Sequence, residues 1–210
     1  MAATLSVCAA RARHQATELF AELRNIDASS DPSVAARLFM QNHRDSLSDK
    51  RCQADLCQYE LNFTNKAISR FRVVPVSKIS VYMTLKRDVL VVILVEYTSA
   101  IFKTDSPIVG VQEGFCDWNG PPSCDYFFLH PHGTNATDIS IGSVDFGQRA
   151  TQVQKQAGWG LNANCFVALK GCKDVSELLP TAWKLTAPGA VSSRLRSMGD
   201  SIADSQRPLP

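Results

Sequence analysis

Ala12, Ala16, Leu19, Leu23 and Ile26 recur at steps of three or four residues, the spacing that lays side chains along one face of a helix. The segment from about residue 9 to 25 is therefore expected to be helical, with Arg11, Glu18, Glu22 and Arg24 mostly off the apolar stripe. Asp31-Pro32 follows, joining a side chain that caps helix N-termini to a proline suited to the first helical position. This predicts a second helix from Pro32 to about His43, with Val34, Ala35, Leu38 and Phe39 turned inward. Ser46 to Lys50 reads as a polar connector.

From Cys57 the period changes to two. Tyr59, Leu61 and Phe63 alternate with Gln58, Glu60 and Asn62, which predicts a half-buried strand, and a short turn or helical piece is expected from Asn65 to Arg70. Val76 to Leu85 and Val89 to Thr98 then form a hairpin. With Lys86-Arg87-Asp88 as a three-residue loop, Leu85, Met83, Val81 and Ile79 face Val89, Val91, Ile93 and Val95 on one side of the sheet, and Lys78 faces Glu96 on the other. A two-residue loop sets Ile79 against Glu96 on the apolar face, so the longer loop is the expectation. Val89 to Val95 is apolar on both faces, which predicts a central strand with helices against one side and loops, a second subunit or a ligand against the other.

Ile108 to Phe115, Asp125 to Leu129 and Ile139 to Phe146 read as further short strands, and Cys165 to Leu169 as one more. Asp174 and Glu177 have capping-box spacing before Leu178 and Leu179, and Pro180 limits that helix to little more than a turn unless the chain restarts there. The fold class expected is α+β: two N-terminal helices packed on an antiparallel sheet with a central hairpin, and a short C-terminal helix. Residues 9–186 are read as one domain and 187–210, rich in Pro, Gly and Ser without periodicity, as a flexible tail. A length of 210 residues, 45% of them hydrophobic, suits one core.

Charge narrows the partners. The 22 basic and 20 acidic side chains are interspersed, so no field gathers DNA, RNA or an anionic membrane, and nucleic acid is not an expected partner. The longest apolar run is too short for a transmembrane segment. Residues 1–8 lack the basic start and apolar length of a secretory signal and are read as the remnant of one, left by a start codon assigned too far downstream. Cys8 is preceded by Val7, bulkier than the small residue expected before a lipidated cysteine, so a plain helix start is the preferred reading there.

Of seven cysteines, six form close pairs: Cys52 with Cys57, Cys116 with Cys124, and Cys165 with Cys172. Each pair sits in or beside turn-forming residues, so neighbour disulfides are the simplest connectivity. Reduced buried thiols and a zinc site are the competing readings, the latter weak because no Cys-x2-Cys knuckle occurs. Disulfides imply an oxidising compartment, periplasmic or extracellular; cytoplasmic residence is the alternative.

Catalytic patterns are sparse. His130 and His132 flank Pro131 at a spacing that can aim two rings at a metal, with Asp125 or Asp138 as a carboxylate; the competing reading is a polar turn after a strand. There is no Gly-x-Ser-x-Gly elbow and no phosphate-binding loop. Glu113, Asp117, Asp125 and Asp145 are read as surface charges. Trp118, Trp159 and Trp183 offer ligand platforms, but partly buried core is the commoner role. Asn62 and Asn135 begin glycosylation triplets.

Cys52-x4-Cys57-x-Tyr59-x-Leu61-x-Phe63-x-Asn65, and Gly171-Cys172-Lys173-Asp174 leading to Glu177-Leu178-Leu179-Pro180, resemble uncharacterised exported proteins of Acidobacteria-type soil bacteria over about residues 15 to 185. The resemblance implies export and carries over no functional residue. The expected function is accordingly a non-enzymatic exported protein that binds a partner or a small apolar ligand, with no cofactor. A small hydrolase or metal-dependent enzyme built on His130 and His132 is the alternative, and a sheet-mediated homodimer is a third.

Overall fold

A computed structural model describes residues 2–65, 76–99, 109–115, 127–130, 142–167, 172 and 175–186. Helix α1 (Ala2–Asp27) and α2 (Pro32–Asn42) lead through a short 3-10 turn (Arg44–Ser46) into β1 (Leu47–Gln53) and β2 (Leu56–Thr64). The hairpin β3 (Ser77–Lys86) and β4 (Val89–Ser99) follows, then β5 (Val109–Gly114), β6 (Phe127–His130) and β7 (Gly142–Gly147). Helix α3 (Gln152–Gly158), a second 3-10 turn (Ala163–Phe166), α4 (Val175–Leu178) and α5 (Pro180–Thr186) complete the described chain. The class is α+β. One seven-stranded sheet runs β1-β2-β3-β4-β5-β7-β6, antiparallel except where β5 pairs with β7.

The predicted stripe of α1 is its buried face: Ala12, Ala16, Leu19, Leu23 and Ile26 are all nearly inaccessible, and Phe20 joins them. The helix begins earlier than residue 9, at Ala2. In α2 the Asp31 carboxylate accepts from the Val34 N–H at 2.9 Å, as a cap should. The inward face differs from the expectation, however. Ala36 and Phe39 are buried while Val34 and Leu38 are exposed. Apolar residues occur on two sides of this helix, and its attachment to β4 decides between them: the Leu90 N–H donates to Ser33 Oγ (2.9 Å) and Arg37 Nη1 to the Asp88 carbonyl (2.8 Å).

The connector expected from Ser46 to Lys50 is instead mostly strand β1. It is an edge strand, largely exposed on both faces, so its sequence carries no alternation to read. The hairpin register also departs from the expectation. Arg87 and Asp88 alone form the turn, both at positive φ (50° and 65°), as a two-residue hairpin connection requires. Lys86 then pairs with Val89 and Leu85 with Leu90, but Thr84 pairs with Val92. Val91 is the extra residue of a bulge, and beyond it Met83 meets Ile93, Val81 meets Val95 and Ile79 meets Tyr97. Glu96 falls opposite Ser80 rather than Ile79 or Lys78, so the bulge removes the conflict that argued against a short loop. Val89 is exposed at the hairpin end, and β4 is central as expected.

A single buried cluster joins α1, α2, one sheet face and the C-terminal helices. Three further strands appear where periodicity placed them, but Cys165 to Phe166 lies in a 3-10 turn. Helix α3 was not anticipated, although Thr151 and Gln154 form a complete capping box. Its last residue must be glycine, because a Cβ on Gly158 would run into the Phe146 ring. Pro180 does restart the chain as a helix, with Leu178 and Leu179 buried at the junction.

Disulfides join Cys52 to Cys57 across the β1–β2 hairpin and Cys165 to Cys172, while Cys8 is free. The expected Cys116–Cys124 pair, the piece at 66–70 and the tail at 187–210 lie outside the described residues. No described helix is long and apolar enough to cross a membrane.

Candidate functional site

A groove of about 470 Å³ opens between α1 and the β2 side of the sheet. Its floor is apolar, formed by Ala16 and Leu19 of α1, Phe63 of β2, Ile79 of β3 and Phe166 of the second 3-10 turn. Gln15, Glu18 and Glu22 line it from α1, and His43, Ser46, Asn62 and Thr64 complete it. The stripe that buries α1 has a polar margin one position round the helix, and Glu18 and Glu22, four residues apart, project from that margin on one side. The volume falls within the range of small-ligand sites, while the lining, with seven polar residues to five apolar, is more polar than such sites usually are.

His43 ends α2, where its N–H donates to the Phe39 carbonyl. Its Nε2 lies 2.7 Å from Glu22 Oε2, and its ring packs between Phe39 (4.6 Å between centroids) and Phe63 (5.4 Å, edge to face). Glu18 has a parallel partner on its own helix, His14, at 3.1 Å. Phe166 is held from below. Its carbonyl accepts from Asn65 Nδ2 (2.9 Å), and the neighbouring Cys165 carbonyl accepts from the Tyr97 hydroxyl (2.9 Å). The Cys165–Cys172 disulfide ties down the same turn. The groove is thus bounded by elements that are individually anchored.

A second polar cluster lies at the C-terminal end of α1 and is sealed. Asp27, the last residue of the helix, forms an ion pair with Lys155 of α3, whose Nζ is also 3.6 Å from Glu113 Oε1 of β5. Trp159 Nε1 donates to Glu113 Oε2 at 3.2 Å. Glu113 is completely buried, which corrects its reading as a surface charge: its side chain points to the core face of an inner strand. Burial, then the adjoining Asp27 carboxyl, push its pKa up to about 9 against the opposing pull of Lys155 and the Trp159 N–H. One lysine cannot neutralise two carboxylates, so Glu113 holds a proton at neutral pH. Drawn ionised, its Oε1 lacks a hydrogen-bond partner; protonated, that oxygen becomes a donor facing Asp27. The cluster is a neutral, packed unit.

The predicted site residues fall elsewhere. His130 ends β6, paired with Ser143, and His132, Asp125 and Asp138 lie outside the described residues. Among the described residues no group of three His, Cys, Asp or Glu side chains is arranged to hold a metal. Trp159 is core, Trp183 is partly exposed, and Trp118 lies outside the described residues. The Asn62 amide is engaged within the sheet, donating to Ser48 Oγ (2.7 Å) and Glu60 Oε1 (2.9 Å). Glu22, His43, Asp27 and Lys155 carried no motif. Their only sequence signal was the i,i+4 spacing of Glu18 and Glu22 beside the apolar stripe, a pattern common to solvated helix faces.

No family model matches the chain, and no curated protein or solved structure does. The fold and the groove therefore define the class by themselves: an α+β chain with two disulfides among its described residues and a half-open groove between its first helix and its sheet.

Proposed function

We propose that this chain is an exported, non-enzymatic binding protein that takes a small, partly apolar ligand in the groove between α1 and β2. The groove itself carries the reading: an apolar floor beneath hydrogen-bonding side chains, of ligand size, walled by elements fixed through the Tyr97 and Asn65 hydrogen bonds. The two disulfides support export, since such links persist in oxidising compartments.

Two experiments test it. Ligand-observed NMR with an aromatic fragment set should give binders to the wild type that are lost in Gln15→Trp, which places an indole at the groove from an exposed helix position. Binders that survive that substitution would move the site elsewhere. Intact mass after alkylation, with and without reduction, should show six protected cysteines and a reactive Cys8 in protein made in an oxidising compartment. Seven free thiols there would remove the argument for export.

A further inference from the structure

Taking the groove as the ligand site, we propose that its ligand is a protonated amine attached to an apolar or aromatic body. Among the described residues the lining contains no lysine and no arginine, while α1 presents two carboxylates, Glu18 and Glu22, along one wall. Each has one oxygen engaged, Glu18 Oε1 by His14 and Glu22 Oε2 by His43. A carboxylate accepts through both oxygens, so each retains acceptor capacity beyond its histidine. An ammonium donates three hydrogen bonds and has no acceptor, which matches such a wall, whereas a carboxylate or phosphate guest would meet like charge.

The floor sets the rest of the ligand. Phe63 and Phe166 bring aromatic rings to the cavity, and Leu19 and Ile79 close it with aliphatic surface. Aromatic faces attract cations and bury hydrocarbon, so both ends of an aryl-alkylamine find complementary surroundings within one cavity. A metal cation fits less well, because among the described residues no three His, Cys, Asp or Glu side chains are arranged to hold one. His43 acts as a positioning residue: packed between Phe39 and Phe63, it fixes the Glu22 carboxylate at the groove wall.

The test uses the full oxidised chain and three probes of similar shape and different charge: 2-phenylethylamine, 2-phenylethanol and 3-phenylpropanoate, each titrated calorimetrically at neutral pH. The amine should bind about tenfold or more tighter than the alcohol, and the propanoate should be weakest. Glu22→Gln, which keeps shape and removes charge, should cost the amine about tenfold and leave the alcohol unchanged; Glu18→Gln should act in the same direction. Glu18 is exposed and Glu22 half-buried, so Glu18→Gln should melt near the wild type and serves if Glu22→Gln does not fold. Equal affinity for amine and alcohol, or an amine affinity indifferent to both substitutions, overturns the amine while leaving the groove a ligand site. If none of the three binds and the fragment set also finds no groove binder, the groove reading falls with it.

Discussion

Two stretches of α1 carry the same kinds of group in opposite circumstances. Toward its middle, Glu18 and Glu22 stand in a half-open groove, where water reaches them and a histidine takes one oxygen of each. At its end, Asp27 is shut in with Lys155 and Glu113, where side-chain exposure falls below a tenth. Solvent access decides what the carboxylates do. In the groove, each keeps acceptor capacity at little cost, because water screens what the protein leaves unpaired. In the core, a second uncompensated charge is unaffordable, so Glu113 keeps its proton and the cluster becomes a fastening between α1, β5 and α3. Substitutions at the sealed end should therefore read out in stability, and those in the groove in binding.

The largest effect should come from Lys155→Met. It leaves the Asp27 carboxylate buried without its cation, at a cost of about 3–5 kcal/mol, measured by urea denaturation at neutral pH. A loss under 1 kcal/mol would mean that the cluster is hydrated in solution, and the contrast between the two stretches would dissolve. Next comes the disulfide behind the groove. Replacing Cys165 and Cys172 together by alanine should cost about 2 kcal/mol in the loop-entropy model and loosen the turn that carries Phe166. Hydrogen exchange should accelerate at Val167, whose N–H donates to the Asn164 carbonyl, and at the alanine in position 165, where the native backbone N–H donates to the Asn162 carbonyl.

Glu113 gives a pH signature. Its folded pKa of about 9 lies above its ordinary 4.5, so between those values the folded state holds a proton that the unfolded chain has released. The associated stability is complete below about 4.5 and declines as pH rises toward 9, with a slope up to about 1.4 kcal/mol per pH unit. Glu113→Gln mimics the protonated form and should flatten that slope, so the variant should gain on the wild type as pH rises. Parallel profiles would show that Glu113 is ionised in the fold. The smallest stability effect belongs to Glu22→Gln, expected within about 0.5 kcal/mol of wild type even as amine binding falls. A large destabilisation there would make Glu22 a structural residue rather than part of a binding wall.

Much of the scaffold was legible from periodicity alone. The α1 stripe, the alternation at Tyr59, Leu61 and Phe63, and the two-sided apolar run of β4 each name their element, because burial on a regular backbone repeats at the backbone's own period. Where several faces are apolar, as in α2, or none is, as in β1, the pattern underdetermines the answer and docking supplies it. The hairpin register shows a further limit. A bulge at Val91 changes pairing by one residue without any glycine or proline to announce it, and only the competing demands of Ile79 and Glu96 hint that a simple turn is insufficient.

The candidate site was scarcely legible. Glu22 and His43 are 21 residues apart and belong to different helices, and Asp27 and Lys155 are 128 apart. By itself the sequence determined the α+β class, the central strand and the cap of α2, and it offered as the simplest connectivity the two neighbour cysteine pairings that the structure joins. Only the tertiary structure decided which carboxylates are sealed and which face a cavity, since desolvation depends on everything packed around a group and a linear pattern records only its neighbours along the chain.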